Sequence, residues 1–551
     1  MEKIWLKHYE SGVPAEIDTN AYTSVVNLFD SSCREFKDCV AYINRGTAIK
    51  YGELDVLCQH FAVFLQDLGL KRGARVAIMM PNLLQYPVVL FAVLRAGLIV
   101  VNTNPLYTSD ELVHQLNDSG AEALVVLSNF ATTVEKSLPK LTALKHIIVT
   151  DVGDLYPTVK RVIVNAVVKY IKRMVPAYDI PNAISFLDAL KRGTKGLLQP
   201  TELHHDDIAF LQYTGGTTGA PKAAMLSHGN IVANVMQAYA WIEPLKITQK
   251  DIIVTALPLY HIFSLSANCL TFLKAGASNI LITNPRDMSS FINEIKHAQF
   301  TAITGVNTLF NALLNHPHFH QIDFSKVKLA LSGGMALKKN VALSWHERTN
   351  TRILEAYGLT ETSPAVTMNP MYLDEYNGSI GFPISSTDIS IRDDEGNELP
   401  LGERGELCIK GPQVMTRYWH HQDETDLVFW PDGFLRTGDI VTMDNNGYIY
   451  LVDRKKDMII VSGFNVYPNE IEQVISMMPS VLEVGVIGVN NNDGGERIKA
   501  CVVKRDPSLT AEQIIAHTRE HLTAYKIPKI IEFYDELPKS NIGKILKRAL
   551  K

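Results

Sequence analysis

FTAITGVN (residues 300–307), VKLALSGG (327–334) and TRILEAYG (351–358) are short apolar runs separated by longer stretches of helical character. Such alternation predicts crossover units, in which parallel strands form a sheet and the intervening helices cover its faces. Four further runs of the same kind precede them: EALVVLSNF (122–130), HIIVTDV (146–152), IAFLQYT (208–214) and DIIVTALPLYH (251–261). We therefore expect a mixed α/β fold with largely parallel, helix-flanked sheets.

The pattern changes near Ile389, where short strands and tight turns begin. This change predicts a small β-rich subdomain at about 385–453. After the charged run at 453–457 the chain restarts a compact α+β unit. Because 551 residues exceed the size to which one hydrophobic core grows, we predict a large domain, 1–453, and a small C-terminal domain, 454–551.

The composition is that of a globular protein, with 46% hydrophobic and 20% charged residues and a formal net charge of -5. This slightly negative net charge gives no overall excess of basic residues, so we expect no nucleic-acid partner. Six scattered cysteines without a C-x-x-C pair indicate neither a disulfide framework nor a zinc site. The N-terminus lacks the apolar segment of a signal peptide, so a cytoplasmic location is expected. The longest apolar stretch, 86–102, is broken by Arg95 and Gly97, which is typical of a buried helix followed by a core strand and not of a membrane span.

One segment, 157–178, is amphipathic when drawn as a helix and contains no acidic residue. Its polar face carries Arg161, Asn165, Lys169, Lys172 and Arg173, and its apolar face carries Val159, Ile163, Ala166, Val167, Tyr170 and Met174. Two interpretations stay open at this point: a surface helix packed on its own domain, and a peripheral contact with anionic lipid at the inner face of the cytoplasmic membrane.

The stretch QYTGGTTGAPKAAML (212–226) combines glycines, threonines and a lysine, a composition that suits phosphate. Backbone N–H groups at glycines approach an anion closely, and hydroxyl groups and Lys222 add donors and charge. The stretch is neither a P-loop, because Pro221 stands where that motif has glycine, nor a G-x-G-x-x-G loop. Taken alone, it is also compatible with an ordinary flexible turn.

Further segments carry groups that suit a nucleotide. In EAYGLTETSP (355–364), Tyr357 offers a flat stacking surface, Thr360 a hydroxyl donor and Glu361 a carboxylate for a hard cation such as Mg2+. Asp439, after a Thr-Gly turn, suits the hydrogen bonds of a ribose diol, and Arg454 offers a second diol or phosphate contact. Each segment alone is equally compatible with a structural turn.

Six segments occur in an order that resembles the acyl-adenylate-forming superfamily of ATP-dependent AMP-binding enzymes. They are YTGGTTGAPKAAMLSH (213–228), LPLYHIFSL (257–265), YGLTETSP (357–364), RTGDI (436–440), DRKKDMIIVSGFNVYPNEIE (453–472) and PKSNIGKILKRAL (538–550). The wording of the fifth segment, together with MMPNLLQYPVVLFAVLRAGLIVVNTNPLYT and ITGVNTLFNALLN, resembles the bacterial long-chain acyl-CoA synthetases within that superfamily. The likeness extends over nearly the whole chain.

The resemblance implies a two-step ligase reaction that feeds fatty-acid uptake and β-oxidation. A long-chain fatty acid attacks the α-phosphate of ATP, giving an acyl-adenylate and pyrophosphate, and CoA thiolate then displaces AMP. Adenylation turns a poor acyl donor into a reactive one, so a difficult step is divided into two easier ones. Mg2+ accompanies ATP, and CoA is the co-substrate.

The resemblance also implies roles for individual residues. It implies ATP or AMP binding by Tyr213, Thr214, Gly215, Gly216, Thr217, Thr218, Gly219, Lys222, Gly333, Gly334, Tyr357, Gly358, Thr360, Glu361, Asp439 and Arg454. The loop would embrace the departing β- and γ-phosphates, Glu361 would hold Mg2+, and Lys544 would stabilise charge between the carboxylate and the α-phosphate. Its implied catalytic residues are Lys544, Glu361, Thr214 and His261.

In the second half-reaction the small domain of this superfamily rotates, with the hinge implied at Lys456. Gly463 would line the pantetheine channel and Phe464 would contact CoA. His261 is placed beside the acyl pocket, although a hydrogen-bonded core histidine remains an alternative. Leu265 stands where some long-chain relatives have a tryptophan that gates the fatty-acid tunnel, so the sequence does not identify the gating residue here.

Three other functions share parts of this pattern: an acyl-adenylate ligase that loads a carrier protein, a luciferase-like oxygenase, and a fatty-acid-binding or uptake component without catalysis. The presence of Glu361, Asp439, Arg454 and Lys544 argues against the last one. The sequence leaves open the acyl chain length and the oligomeric state, a homodimer included.

Overall fold

The computed structural model describes residues 1–214, 221–461, 464–490, 496–540 and 543–551. Its strands are β1 (Val40–Asn44), β2 (Thr47–Lys50), β3 (Arg75–Met79), β4 (Ile99–Asn102), β5 (Ala123–Leu127), β6 (His146–Thr150), β7 (Ile184–Ser185), β8 (Ile208–Thr214), β9 (Lys222–Ser227), β10 (Ile252–Thr255), β11 (Ser278–Leu281), β12 (Ala302–Gly305), β13 (Leu329–Ser332), β14 (Ile353–Gly358), β15 (Ala365–Met368), β16 (Phe382–Pro383), β17 (Asp388–Arg392), β18 (Gly405–Lys410), β19 (Leu435–Met443), β20 (Ile449–Arg454), β21 (Ile459–Val461), β22 (Phe464–Val466), β23 (Val481–Asn490), β24 (Glu496–Lys504) and β25 (Ile530–Tyr534).

Its α-helices are α1 (Val25–Glu35), α2 (Tyr51–Asp67), α3 (Gln85–Arg95), α4 (Ser109–Ser119), α5 (Ala131–Ser137), α6 (Thr158–Ala166), α7 (Phe186–Gly193), α8 (His228–Ile242), α9 (Ile262–Ser264), α10 (Thr271–Lys274), α11 (Met288–Ile295), α12 (Asn307–Leu314), α13 (Lys339–Thr349), α14 (Gln422–Val428), α15 (Pro468–Ser476) and α16 (Ala511–His521). Two π-helical turns extend helices: Val167–Ile171 follows α6, and Leu265–Leu270 joins α9 to α10.

Two large sheets confirm the predicted α/β class. One has seven strands in the order β7-β6-β5-β3-β4-β8-β9, parallel except for the antiparallel edge strand β9. The other has nine strands in the order β16-β15-β14-β13-β12-β10-β11-β1-β2, parallel from β14 to β1. The apolar runs 300–307, 327–334 and 351–358 contain the strands β12, β13 and β14, which are neighbours in this sheet.

Alternation within the strands divides the core into clusters on opposite sheet faces. In β3, Val76 and Ile78 belong to one hydrophobic cluster, whereas Ala77 and Met79 belong to another. Successive side chains of a strand point to opposite faces, so an entirely apolar strand indicates a sheet covered on both sides. The stretch 86–102 is the buried helix α3 followed by β4, as predicted.

The C-terminal third contains several smaller sheets. The strands β17 to β20 form an antiparallel four-stranded sheet that ends at Arg454, next to the predicted domain boundary. Beyond it, the hairpin β21–β22, the sheet β23-β24-β25 and the helices α15 and α16 surround a separate apolar cluster.

The amphipathic segment packs on its neighbours through polar groups. The side-chain oxygen of Asn165 accepts a hydrogen bond from the Gly153 amide at 2.8 Å, and Lys160 donates to Thr47 at 3.0 Å. Every residue of α6 is exposed or half-buried, and its outward side chains include Val159 at 73% exposure and Ile163 at 57%. The helix therefore leaves apolar surface in contact with water. Within the described residues, no helix is long and apolar enough to cross a membrane.

Candidate active site

A pocket lies where the carboxyl ends of β13 and β14 meet β19, β20 and the C-terminal tail. Its lining includes Gly334, Tyr357, Gly358, Asp439, Arg454 and Lys544. The carboxyl end of a parallel sheet is the usual position of a ligand in α/β folds, because the connecting loops converge there. Six predicted residues from five sequence segments are thus brought together.

Two glycines shape the wall of this pocket. Gly334 has φ +78°, a backbone conformation that L side chains rarely adopt. At Gly358 a Cβ atom would lie 1.9 Å from the Pro364 carbonyl oxygen. Glycine is therefore required at both places for the backbone path, whatever its role toward a ligand.

Tyr357, Asp439 and Arg454 form one polar group. The Tyr357 hydroxyl donates to Asp439 Oδ2 at 2.6 Å, and Arg454 Nε lies 3.6 Å from Asp439 Oδ1. Asp439 and Arg454 are direct partners in the β19–β20 ladder, which explains why two distant motifs meet. Burial and the adjacent Asp439 carboxylate raise the pKa of Tyr357 well above its usual value, so its hydroxyl stays a donor.

Lys544 reaches the same pocket from the tail. Its amide donates to Ser540 Oγ at 3.1 Å, and the preceding carbonyl, of Gly543, accepts from Thr308 Oγ1 at 2.9 Å. Burial and, next, the charge of Arg454 lower the pKa of Lys544 to about 7. A bound anion would favour the charged form of this amine.

His261 lies within electrostatic reach of Lys544. Burial and then Lys544 lower the pKa of His261 to about 4, so the imidazole is neutral at physiological pH. Its Nδ1 atom accepts a hydrogen bond from the Phe263 amide at 3.4 Å, which caps α9. The structural alternative for His261 thus has a definite hydrogen bond. Leu265 is fully buried in the following π-helical turn.

A second cavity adjoins the first, because Leu359 lines both. It is lined by Glu361, whose Oε1 accepts a hydrogen bond from the Tyr418 hydroxyl at 2.6 Å. The Lys222 ammonium lies 5.7 Å from the centre of the Tyr418 ring and forms an ion pair with Glu424. A cation and a carboxylate from separate motifs therefore flank one tyrosine.

Other predicted residues have different surroundings. The Tyr213 hydroxyl donates to Asp118 Oδ2 at 2.5 Å and is thereby directed toward α4, whereas Thr214 pairs with Lys222 in the β8–β9 ladder. Gly333 packs beside Phe263, with a Cβ position 3.1 Å from the ring. Thr360 shares a short 3-10 turn with Glu361.

The predicted CoA and hinge residues lie beyond β20. Phe464 is 55% exposed and stacks on Tyr525 with ring centroids 4.8 Å apart, and Lys456 lies in the 3-10 turn Lys455–Asp457 that follows β20. The following predicted residues lie outside the described ranges: Gly215, Gly216, Thr217, Thr218, Gly219 and Gly463.

Sequence reasoning missed the groups that hold the region beyond β20 against the preceding part of the chain. Thr308 and Asn311 on α12 donate to the carbonyls of Gly543, at 2.9 Å, and Leu482, at 3.3 Å. Lys338 lies 3.1 Å from Glu472, a buried carboxylate. These residues belong to no recognisable motif, and only their spacing in three dimensions reveals them.

Glu472 is shared by two cations, since Lys547 lies 3.0 Å from its other oxygen. Burial alone would raise the pKa of this carboxyl, but Lys547 and Lys338 outweigh burial and lower it to about 2. Lys547 therefore takes part in a buried ion pair with Glu472.

The sequence matches a family model described as AMP-binding enzyme over residues 29–419, and one described as AMP-binding enzyme C-terminal domain over residues 470–544. The chain therefore belongs to the AMP-binding enzyme family. It is 54% identical to the long-chain-fatty-acid–CoA ligase of Yersinia pestis over 552 aligned positions, which cover 100% of this chain and 98% of that protein. The ligase of the same name from Bacillus subtilis is 37% identical, with the same coverage. The crystal structure of ATP-bound MatB from Rhodopseudomonas palustris has a TM-score of 0.81 at 29% identity and covers 95% of this chain and 98% of MatB.

Proposed function

We propose that this protein is a long-chain fatty acid–CoA ligase that converts ATP, a fatty acid and CoA to acyl-CoA, AMP and pyrophosphate through an acyl-adenylate. The observation that carries the proposal is the entry of Lys544 into the pocket of Tyr357, Asp439 and Arg454. The names of the full-length relatives support the choice of acid and thiol.

In the first step, a carboxylate oxygen of the fatty acid attacks the α-phosphorus of ATP. The bond from that phosphorus to the oxygen that bridges to the β-phosphate breaks, and pyrophosphate leaves with the bonding electrons. Lys544 stabilises the negative charge shared by the carboxylate and the α-phosphate, and these anions keep its amine protonated. Asp439 accepts from the ribose hydroxyls, and Tyr357 flanks the adenine.

Lys222, Thr214 and the loop between them bind the departing phosphates. The Glu361 carboxylate, which lines the second cavity, fits Mg2+, because hard oxygen donors are those that Mg2+ prefers. When bound with ATP, Mg2+ neutralises phosphate charge. Tyr418 orients Glu361 through their 2.6 Å hydrogen bond.

In the second step, the CoA thiolate attacks the acyl carbonyl carbon, and the bond to the AMP oxygen breaks. Lys544 must leave so that the thiol can enter, and we infer rotation of the unit beyond Lys456. The polar character of the contacts of Thr308, Asn311 and Lys338 supports this motion, because hydrogen bonds and ion pairs exchange for water more readily than a large apolar interface separates. Gly463 and Phe464 would then face CoA.

The direct experiment is an assay of pyrophosphate release with palmitate and ATP, followed by thioester formation with and without CoA. We expect palmitate-dependent release and CoA-dependent thioester. Absence of pyrophosphate release would contradict the proposed ligase activity. Release with thioester formed only on a phosphopantetheinylated carrier protein would identify a carrier-loading ligase instead.

We further propose that the segment 157–178 binds anionic membrane lipid, which would bring the enzyme to its substrate. Ile163 and Ile171 expose 57% and 74% of their surface, and Lys169, Lys172 and Arg173 are exposed beside them. Exposed apolar and basic side chains together are the features of interfacial helices.

Flotation with vesicles containing phosphatidylglycerol, and with phosphatidylcholine vesicles as the control, tests the lipid contact. Each cation near an anionic surface contributes roughly 1 kcal/mol, so charge reversal of Lys169, Lys172 and Arg173 should weaken binding on the order of 100-fold. Replacement of Ile163 and Ile171 by serine should also weaken it. Unchanged flotation of both variants would contradict lipid binding by the segment 157–178.

A further inference from the structure

The last turn of α16 carries three side chains with metal-binding atoms, His517, Glu520 and His521. Their spacing of three and four residues places them on one face of the helix. One donor atom from each lies within 4.8 Å of the others, and the two imidazole rings are 4.6 Å apart between centroids. This face lies outside the nucleotide pocket described above.

The hydrogen bond of His517 determines which of its nitrogens is free. His517 Nε2 lies 3.1 Å from the Val474 carbonyl oxygen, in the neighbouring helix α15. A carbonyl only accepts, so Nε2 carries the proton and Nδ1 keeps its lone pair. A metal-binding histidine is commonly held in this way, with its second N–H donated to a carbonyl that fixes the ring and its tautomer.

We propose that His517, Glu520 and His521 form a binding site for a divalent transition-metal ion of the Zn2+ type. Two imidazoles and one carboxylate are a donor set that zinc accepts, with water completing the coordination. Nitrogen donors disfavour Mg2+ and Ca2+, so this site is chemically distinct from the one at Glu361. Glu520 and His521 are exposed, which gives an ion from solution direct access.

The site also has a structural consequence. An ion bound by His517 and His521 cross-links the last turn of α16, and the hydrogen bond to Val474 connects that turn to α15. Glu472, on α15, is the carboxylate that meets Lys338 of the large domain. Zinc binding therefore stabilises the pair of helices that carries an interdomain contact, without contributing a group to the reaction.

The test is isothermal titration of the untagged full-length protein with ZnCl2 alone, in buffer that contains excess Mg2+ to occupy sites of oxygen donors. The variants are His521→Ala and Glu520→Gln, and the matched control is His346→Ala, which removes an exposed histidine from α13. We expect a zinc site in the wild type and in the control, weakened about tenfold or more by loss of either ligand.

A second readout is the thermal unfolding midpoint, which should rise with ZnCl2 in the wild type and the His346→Ala control and rise less in the His521→Ala variant. Identical titrations and identical shifts in wild type and both ligand variants would overturn the proposal, as would a wild type that binds no zinc. Because the ligand side chains are exposed or half-buried at a helix end, a folded variant is expected, and its circular dichroism checks this.

Discussion

Replacement of Thr308 by valine should slow adenylation while sparing thioester formation. Thr308 Oγ1 donates to the carbonyl of Gly543, the residue before Lys544, at 2.9 Å. Valine has nearly the shape of threonine but lacks the donor, so the change tests the hydrogen bond and not the packing. Gly543 has φ +81°, and a Cβ there would lie 2.6 Å from Thr308 Oγ1, which shows how closely this tail loop approaches α12.

The expected magnitude follows from one lost hydrogen bond. A typical net contribution of about 0.5–1.5 kcal/mol corresponds to about a 2- to 13-fold smaller ratio of the orientation in which Lys544 occupies the pocket to the rotated one. Adenylation should slow by up to that factor. Thioester formation needs the tail to leave, so it should keep its rate or increase.

The assay measures the two half-reactions separately. Pyrophosphate release in single turnover reports adenylation, and transfer from supplied palmitoyl-adenylate to CoA reports the second step. The control is Thr308→Ser, which retains the hydroxyl and should behave as wild type in both. Equal slowing of both half-reactions by Thr308→Val, or slowing by Thr308→Ser to the same degree, would refute this role of Thr308.

Four further predictions concern the charges at the same interface. Lys544→Gln should slow adenylation about 100- to 1000-fold, the usual cost of one preorganised charge-stabilising donor, and leave transfer from supplied acyl-adenylate within about twofold of wild type; equal losses in both steps would contradict it. Burial lowers the Lys544 pKa to about 7, so the labelling of its amine in the free enzyme, measured for the peptide that contains it, should titrate near pH 7. ATP together with a non-reacting fatty-acid analogue should shift that titration curve to higher pH, because anions favour the charged amine. An unshifted curve would argue against anions beside Lys544. Lys338→Gln should cost about 1–2 kcal/mol of unfolding free energy at pH 7, less than complete loss of a buried pair because Lys547 stays, and urea unfolding measures it. The Glu472 pKa near 2 lies below its ordinary value, so its stabilisation is present above about pH 4.5 and is lost as the pH falls toward 2; a Lys338→Gln variant with the wild-type acid profile would contradict the ion pair.

Most of the fold could be predicted from local pattern. The apolar runs became β12, β13 and β14 because fully apolar strands need a cover on both faces, and the stretch 86–102 became α3 and β4 because Arg95 and Gly97 mark the end of a helix. The orientation of the surface helix in 157–178 was harder to predict. The periodicity of 157–178 indicates two faces. Asn165 and Lys160 have polar partners on the neighbouring elements, and apolar side chains such as Val159 and Ile163 are exposed.

Some residues of the candidate site could likewise be predicted from the sequence, and others could not. Asp439, Arg454 and Lys544 carry motifs, and a β-ladder and a tail loop bring them to one pocket. Thr308 and Tyr418 carry no such signal, since each acts through a contact with a residue remote in sequence. Tyr213 lies within a motif, but the alternation of β8 directs its hydroxyl to Asp118, which only the strand geometry reveals.

The central claim is that a fatty carboxylate is activated by transfer of AMP before CoA attacks. Palmitate labelled with 18O in both carboxylate oxygens tests it directly, because the attacking oxygen bridges acyl group and phosphorus and stays with AMP when the thiolate displaces it. Mass spectrometry of the products should find one 18O atom in each AMP, none in pyrophosphate, and one in palmitoyl-CoA. AMP without label, or label in pyrophosphate, would contradict the account.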